Sequence, residues 1–132
     1  MSLVQYCYIA AGGALGAVAR YAVGSWVTRQ TGASFPWGTF IINVSGCFIL
    51  GVVATLLSER VLSNPNWRPF ITIGFVGAYT TFSTYEYESA QLGSSWRAMA
   101  NLIGSVVVGY GAVWLGIQLA RWIAGVHSVA KS

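Results

Sequence analysis

Long apolar stretches alternate with short polar ones along the chain. Four of the apolar stretches approach the ~20 residues a helix needs to cross a bilayer. They run from Val4 to Trp26, Gly38 to Leu57, Phe70 to Leu92 and Ala98 to Ile123. Arg20 interrupts the first, and the second holds no charge. Glu86 and Glu88 lie near the end of the third, and Arg121 marks the edge of the fourth. Pro36 and Pro69 stand just before spans, where a missing N–H is harmless because the first turn leaves its amides unpaired anyway. Trp26, Trp37, Trp67, Trp96 and Trp122 all fall at span ends, the pattern of an aromatic belt at the two membrane interfaces. The pattern predicts one all-α membrane domain over residues 1–132, with four transmembrane helices at about 4–26, 38–57, 70–92 and 98–123. No internal repeat and no second domain stand out.

The third stretch departs from the others. Gly74 to Glu88 carries three threonines, one serine, three tyrosines and two glutamates inside an apolar segment. Glycine costs ~1 kcal/mol in a helix interior relative to alanine, and threonine loses side-chain freedom there. The third helix is therefore expected to break near its middle, between Gly77 and Thr81. A break at membrane depth is tolerated only where the freed backbone groups meet protein, water or a bound ion.

Composition and charge narrow the class. The chain is 55% apolar and only 8% charged, against ~25% charged in soluble domains. So much apolar surface cannot be hidden in one small core and is expected to face lipid. The net charge is +4, but the Lys and Arg residues are scattered, so no basic run points to nucleic acid. Cys7 and Cys47 both fall in apolar segments and read as small buried hydrophobes rather than a disulfide or metal pair. The first apolar run is too long for a signal peptide and lacks its basic start. Four spans put both termini on one side, with Arg60, Arg68, Arg121 and Lys131; the other side holds Arg29 and Arg97. So weak a bias fits either an ordinary, weakly oriented protein or one that inserts both ways and pairs antiparallel.

Each span also carries a polar stripe. In the first, Gly12, Gly16, Arg20 and Gly24 recur every four residues on one face. The glycines suit close helix packing. Arg20 is costly in a span unless it snorkels or finds a partner, and it is a candidate for drawing an anion to a pore entrance. In the second, Thr39 and Asn43 precede Gly46 and Cys47; Asn43 could bond a neighbouring helix or donate into a pore. In the third, Thr81, Thr84 and Glu88 share one helical face beside Phe82 and Tyr85. In the fourth, Asn101, Ser105 and Gly109 repeat the four-residue spacing. His127 is read as a solvated residue in a tail beyond the last span. No metal-ligand cluster and no nucleophile–base pair is visible, so the stripes favour a pore over an enzyme.

Three strings resemble the Fluc (CrcB-type) fluoride channels: Gly12-Gly13-x-x-Gly16-Ala17-x-x-Arg20-Tyr21, Gly38-Thr39-x-x-x-Asn43-x-x-Gly46, and Gly77-x-x-Thr80-Thr81-Phe82-Ser83-Thr84. The resemblance covers essentially the whole chain. It implies an antiparallel, dual-topology homodimer with two pores in a bacterial plasma (inner) membrane. It implies a structural sodium ion at the dimer centre, on main-chain carbonyls of Gly77 and Thr80. It implies fluoride passing the edges of two phenylalanines, with Asn43 donating to the anion and Ser105 at the family's usual serine; from their polar stripes Thr39, Thr81, Thr84 and Glu88 are read as further lining of the path. The family's first phenylalanine matches Phe82, and its second falls on Tyr85. The family's glycine pair becomes Gly77-Ala78, and Asn101 stands where the family often has tyrosine.

The chemistry suits this independently. An aromatic ring is positive at its edge, and hydroxyl and amide donors can replace part of an anion's water shell. The Tyr85 hydroxyl has two possible directions, inward as a donor or away toward another polar group. The second is expected, because a conducting site must not bind too deeply. The rival class is a small multidrug-type transporter of four spans, but that needs a membrane-embedded carboxylate in its first span, where this chain has Arg20. A purely structural membrane subunit would leave the polar stripes without a purpose.

Overall fold

Residues 2–129 are described by the structure, a computed structural model, and Lys131 lies outside them. Among these residues there are helices and no strands. Helix α1 (Leu3–Thr31) opens on a reciprocal cap: the Ser2 hydroxyl accepts from the Gln5 amide, and the Gln5 side chain accepts from the Ser2 amide. It stops at Gly32, whose φ of 74° suits glycine alone. The helix thus continues to Thr31, through residues the apolar pattern left in a connection.

Helix α2 spans Trp37–Ser58, with Pro36 at its cap. Helix α3 is wound as a π-helix over Arg68–Val76 and closes with one α turn over Gly77–Tyr79. Helix α4 is Phe82–Gln91, and α5 runs from Trp96 to Val129. The backbone of His127 falls inside α5 rather than in a tail beyond it. Cys7 is exposed, not buried, and Cys47 is half-buried; both are free thiols.

Small residues set the packing. Gly12 and Gly16 bring α1 onto α3 so closely that an added Cβ would overlap the backbone carbonyls of Phe70 and Phe75. On the other side of the molecule Gly51 and Gly116 bring α2 and α5 together in the same way. Close backbone approach of this kind maximises dispersion where no hydrophobic drive separates helix from lipid. Helix α2 therefore sits between α5 and the α1–α3 pair, and α4 leans on α5.

Helices α2 and α5 are each long and apolar enough to cross a membrane, with mean hydropathies of 2.3 and 1.7. Only 17% of either apolar window is buried. A core helix of a soluble protein would be covered; these leave most of their side chains at least partly uncovered. Helix α1 has the length at 29 residues. Helices α3 and α4 are each too short to span alone.

Candidate functional site

The chain turns out of helix for two residues between α3 and α4. Thr80 (φ −78°, ψ 159°) and Thr81 (φ −151°, ψ 116°) are both extended. Threonine is prone to this, because its branched Cβ crowds a helix while its hydroxyl can replace a ladder bond. The Thr80 hydroxyl and amide both donate to the Val76 carbonyl, at 2.9 and 3.0 Å. The Thr81 hydroxyl then caps α4, accepting from the Thr84 amide at 3.3 Å and donating to the Thr84 hydroxyl at 3.0 Å. Gly77 itself is helical (φ −61°, ψ −32°) and exposed, so its flexibility is not what interrupts the helix.

Two polar side chains from other helices bind this turn. Asn43 on α2 clasps the Thr81 backbone from both directions. Its Oδ1 accepts from the Thr81 amide at 2.8 Å, and its Nδ2 donates to the Thr81 carbonyl at 3.1 Å. One Nδ2 hydrogen is left over. Arg20 on α1 is half-buried, and its Nη1 makes a long 3.5 Å contact to the Thr80 carbonyl. In an unbroken helix the Thr81 amide would serve the Gly77 carbonyl. Here it serves Asn43, so the Gly77 oxygen is outside the ladder on an exposed face.

The turn divides two cavities. One, of about 490 Å³, is lined by Arg20, Thr39, Thr81, Thr84 and Glu88 among others. The other, of about 250 Å³, is lined by Asn43, Thr80, Thr81 and Phe82 with apolar neighbours. Thr81 lines both. In the larger cavity the Glu88 Oε2 is buried with no hydrogen-bond partner. Phe82 is 74% exposed, whereas Tyr85 is only 6% exposed. Their rings lie 5.8 Å apart at 45°.

Tyr85, Ser105 and Asn101 line neither cavity. They belong to a buried hydrogen-bond chain that pins α4 to α5. The Tyr85 hydroxyl donates to the Leu102 carbonyl at 2.8 Å, turned away toward α5. Ser105 donates to the Asn101 Oδ1 at 3.3 Å, Asn101 Nδ2 to the Ser89 hydroxyl at 2.8 Å, and Ser89 to the Tyr85 carbonyl at 2.7 Å. Asn101 is 1% exposed, so it is a strut rather than a lining group. Ser89 was missed from sequence. Its position one turn after Tyr85 was the available signal.

No group of three His, Cys, Asp or Glu side chains among the described residues could hold a metal. The oxygens on offer at the turn are backbone carbonyls and threonine hydroxyls, which suit a hard cation and not a transition metal.

Comparison with known proteins points one way. A family profile described as CrcB-like protein, Camphor Resistance (CrcB), matches residues 7–117. A protein of Solibacter usitatus named fluoride-specific ion channel FluC is 48% identical over 121 residues, covering 89% of this chain and 99% of its own. One of the same name from Acidobacterium capsulatum is 49% identical over 123 residues, covering 91% and 98%. Another from Hahella chejuensis is 42% identical over 126 residues, covering 93% and 99%.

Proposed function

The chain belongs to the CrcB-like family, and we propose that it is a fluoride-specific ion channel that lets fluoride leave the cell passively. It is a channel and not an enzyme. The observation that carries the reading is the Thr80–Thr81 turn, held open by Asn43 and bordered by cavities on both sides. A turn of this kind at membrane depth is sustained only beside protein or a polar path.

Four spans cross the membrane in this reading: α1, α2, the joined α3–α4 pair, and α5. Fluoride is drawn by the Arg20 guanidinium and meets the hydroxyls of Thr39, Thr81 and Thr84 beside Glu88. The spare Nδ2 hydrogen of Asn43 and the edge of Phe82 replace further waters. Both act from the second cavity, on the far side of Thr81. Tyr85 supports the Phe82 ring from beneath and keeps its hydroxyl out of the path. Ser105 acts through Asn101 and Ser89, by fixing α4 on α5.

Two copies pair antiparallel in a bacterial plasma (inner) membrane, giving two pores per homodimer. The weak Lys/Arg asymmetry and the high exposure of Phe82 support a partner across this face. A sodium ion would sit at the dimer centre. The Gly77 carbonyl fits, being outside the helix ladder and exposed, and Thr80 offers its carbonyl one turn on, with the Arg20 contact long enough to yield. Such an ion would give the negative ends of these carbonyl dipoles a partner. Replacing sodium with a large organic cation should lower the dimer's melting temperature; an unchanged value would remove the ion.

The reading is tested by reconstituting the purified protein in liposomes and recording efflux of fluoride, chloride and a cationic dye. Fluoride alone should leave. Dye exchange against protons would identify a multidrug-type transporter instead.

A further inference from the structure

A larger cavity than either of those beside the Thr81 turn shares only Leu50 with the smaller one, and no residue with the cavity beside Arg20. It is a groove of about 730 Å³ between the C-terminal half of α2, the connection that follows it, and the start of α3. Aliphatic lining comes from Leu50, Leu57, Leu62 and Ile73, and polar lining from Arg60, Arg68 and Asn64 among others. Among its lining residues there are two guanidiniums and no carboxylate. The chain has only three acids: Glu86 and Glu88 lie on α4, and Glu59, although next to Arg60 in the chain, is not part of the groove's lining. Arg60 is held at φ 55°, the only described non-glycine residue with positive φ. Trp67, 41% exposed beside Arg68, marks the level of the membrane interface here.

We propose that this groove binds one anionic phospholipid, its phosphate between Arg60 and Arg68 and an acyl chain along Leu57, Leu62 and Ile73. The volume is that of a small-molecule site. A lining that holds both guanidiniums and aliphatic side chains offers partners to the two ends of the lipid. Arginine suits the task because its planar fork grips phosphate oxygens in pairs. A zwitterionic lipid brings its own cation to the phosphate and gains less. The inference rests on the membrane placement of α2 and the start of α3 and does not require fluoride conduction.

The test uses the full chain in detergent, titrated with phosphatidylglycerol and, separately, phosphatidylcholine, with bound lipid counted by native mass spectrometry. The parent should retain phosphatidylglycerol in preference to phosphatidylcholine. Each basic residue near a membrane surface strengthens anionic binding enough that Arg60→Gln or Arg68→Gln should weaken retention about 5-fold and the double variant about 30-fold. Inorganic phosphate should not displace the lipid, since it lacks the chain. Fluoride efflux from phosphatidylcholine vesicles should be the same for parent and double variant, which shows that the variant folds. Equal retention of both lipids, or full retention by the double variant, overturns the proposal. So does displacement by phosphate. Lipid found on the monomer but absent from the dimer would assign the groove to a second copy and overturn it as well.

Discussion

Tyr85→Phe removes one atom and separates two jobs that the residue could do. Its hydroxyl donates to the Leu102 carbonyl at 2.8 Å. That carbonyl lies within α5, where it also serves the helix ladder, so deleting the hydroxyl leaves no buried acceptor unpaired. Interhelical hydrogen bonds in membranes average about 0.6 kcal/mol, which is about a 3-fold change in the folding equilibrium. The loss is therefore small, and the ring that flanks Phe82 at 5.8 Å remains. Fluoride efflux from liposomes should stay within a few-fold of the parent, with slightly earlier unfolding in denaturant. Tyr85→Ile takes away the ring, loosens Phe82 and should reduce efflux severely while the dimer still assembles. A large acceleration in the Phe variant would mean that the hydroxyl stands in the anion path. Normal efflux in the Ile variant would mean that the ring has no part in conduction.

Asn43→Asp replaces the Nδ2 donor with a second oxygen facing the Thr81 carbonyl, now 3.1 Å from Nδ2, and adds a negative charge beside the path. Efflux should be abolished; near-normal efflux from a correctly assembled dimer would take Asn43 out of the pore. Gly16→Val should destabilise the fold by about 1–3 kcal/mol or more, because the added carbons meet the Phe75 backbone, which cannot rotate aside; an unchanged melting temperature would contradict the close α1–α3 packing. A C-terminal tag probed from each side of the membrane should be reachable from both, given four Lys/Arg against two across the expected loops and tail. One uniform orientation would exclude the antiparallel pair.

The helical character of the chain could be read from its apolar stretches, because α2 and α5 carry few polar residues to compete with a bilayer span. The glycine stripe of α1 could be read too, since a four-residue spacing places Gly12 and Gly16 on one side of a helix, and that side meets α3. The detailed form of the third span could not. Glycine weakens a helix on average, yet Gly77 is helical, and the turn falls on Thr80 and Thr81, where Asn43 supplies the partners that a helix would have supplied. That partner lies 38 residues away in the chain. The π winding of Arg68–Val76 is likewise a matter of hydrogen-bond register, to which side-chain patterns are nearly blind. Asn101 followed the spacing of a pore stripe, but spacing fixes only the face of a helix. Whether that face meets water or Ser89 depends on where α4 lies.

In the proposed mechanism fluoride alone crosses this protein, unaided by any coupled ion. Recording the reversal potential in a planar bilayer tests it most directly, with fluoride, chloride and proton gradients varied one at a time. The potential should follow the fluoride gradient at about 59 mV per tenfold, the value for a single charge moving alone, and should not shift with chloride or pH. A reversal potential that moves with the proton gradient, or with chloride, would contradict a passive fluoride-selective pore.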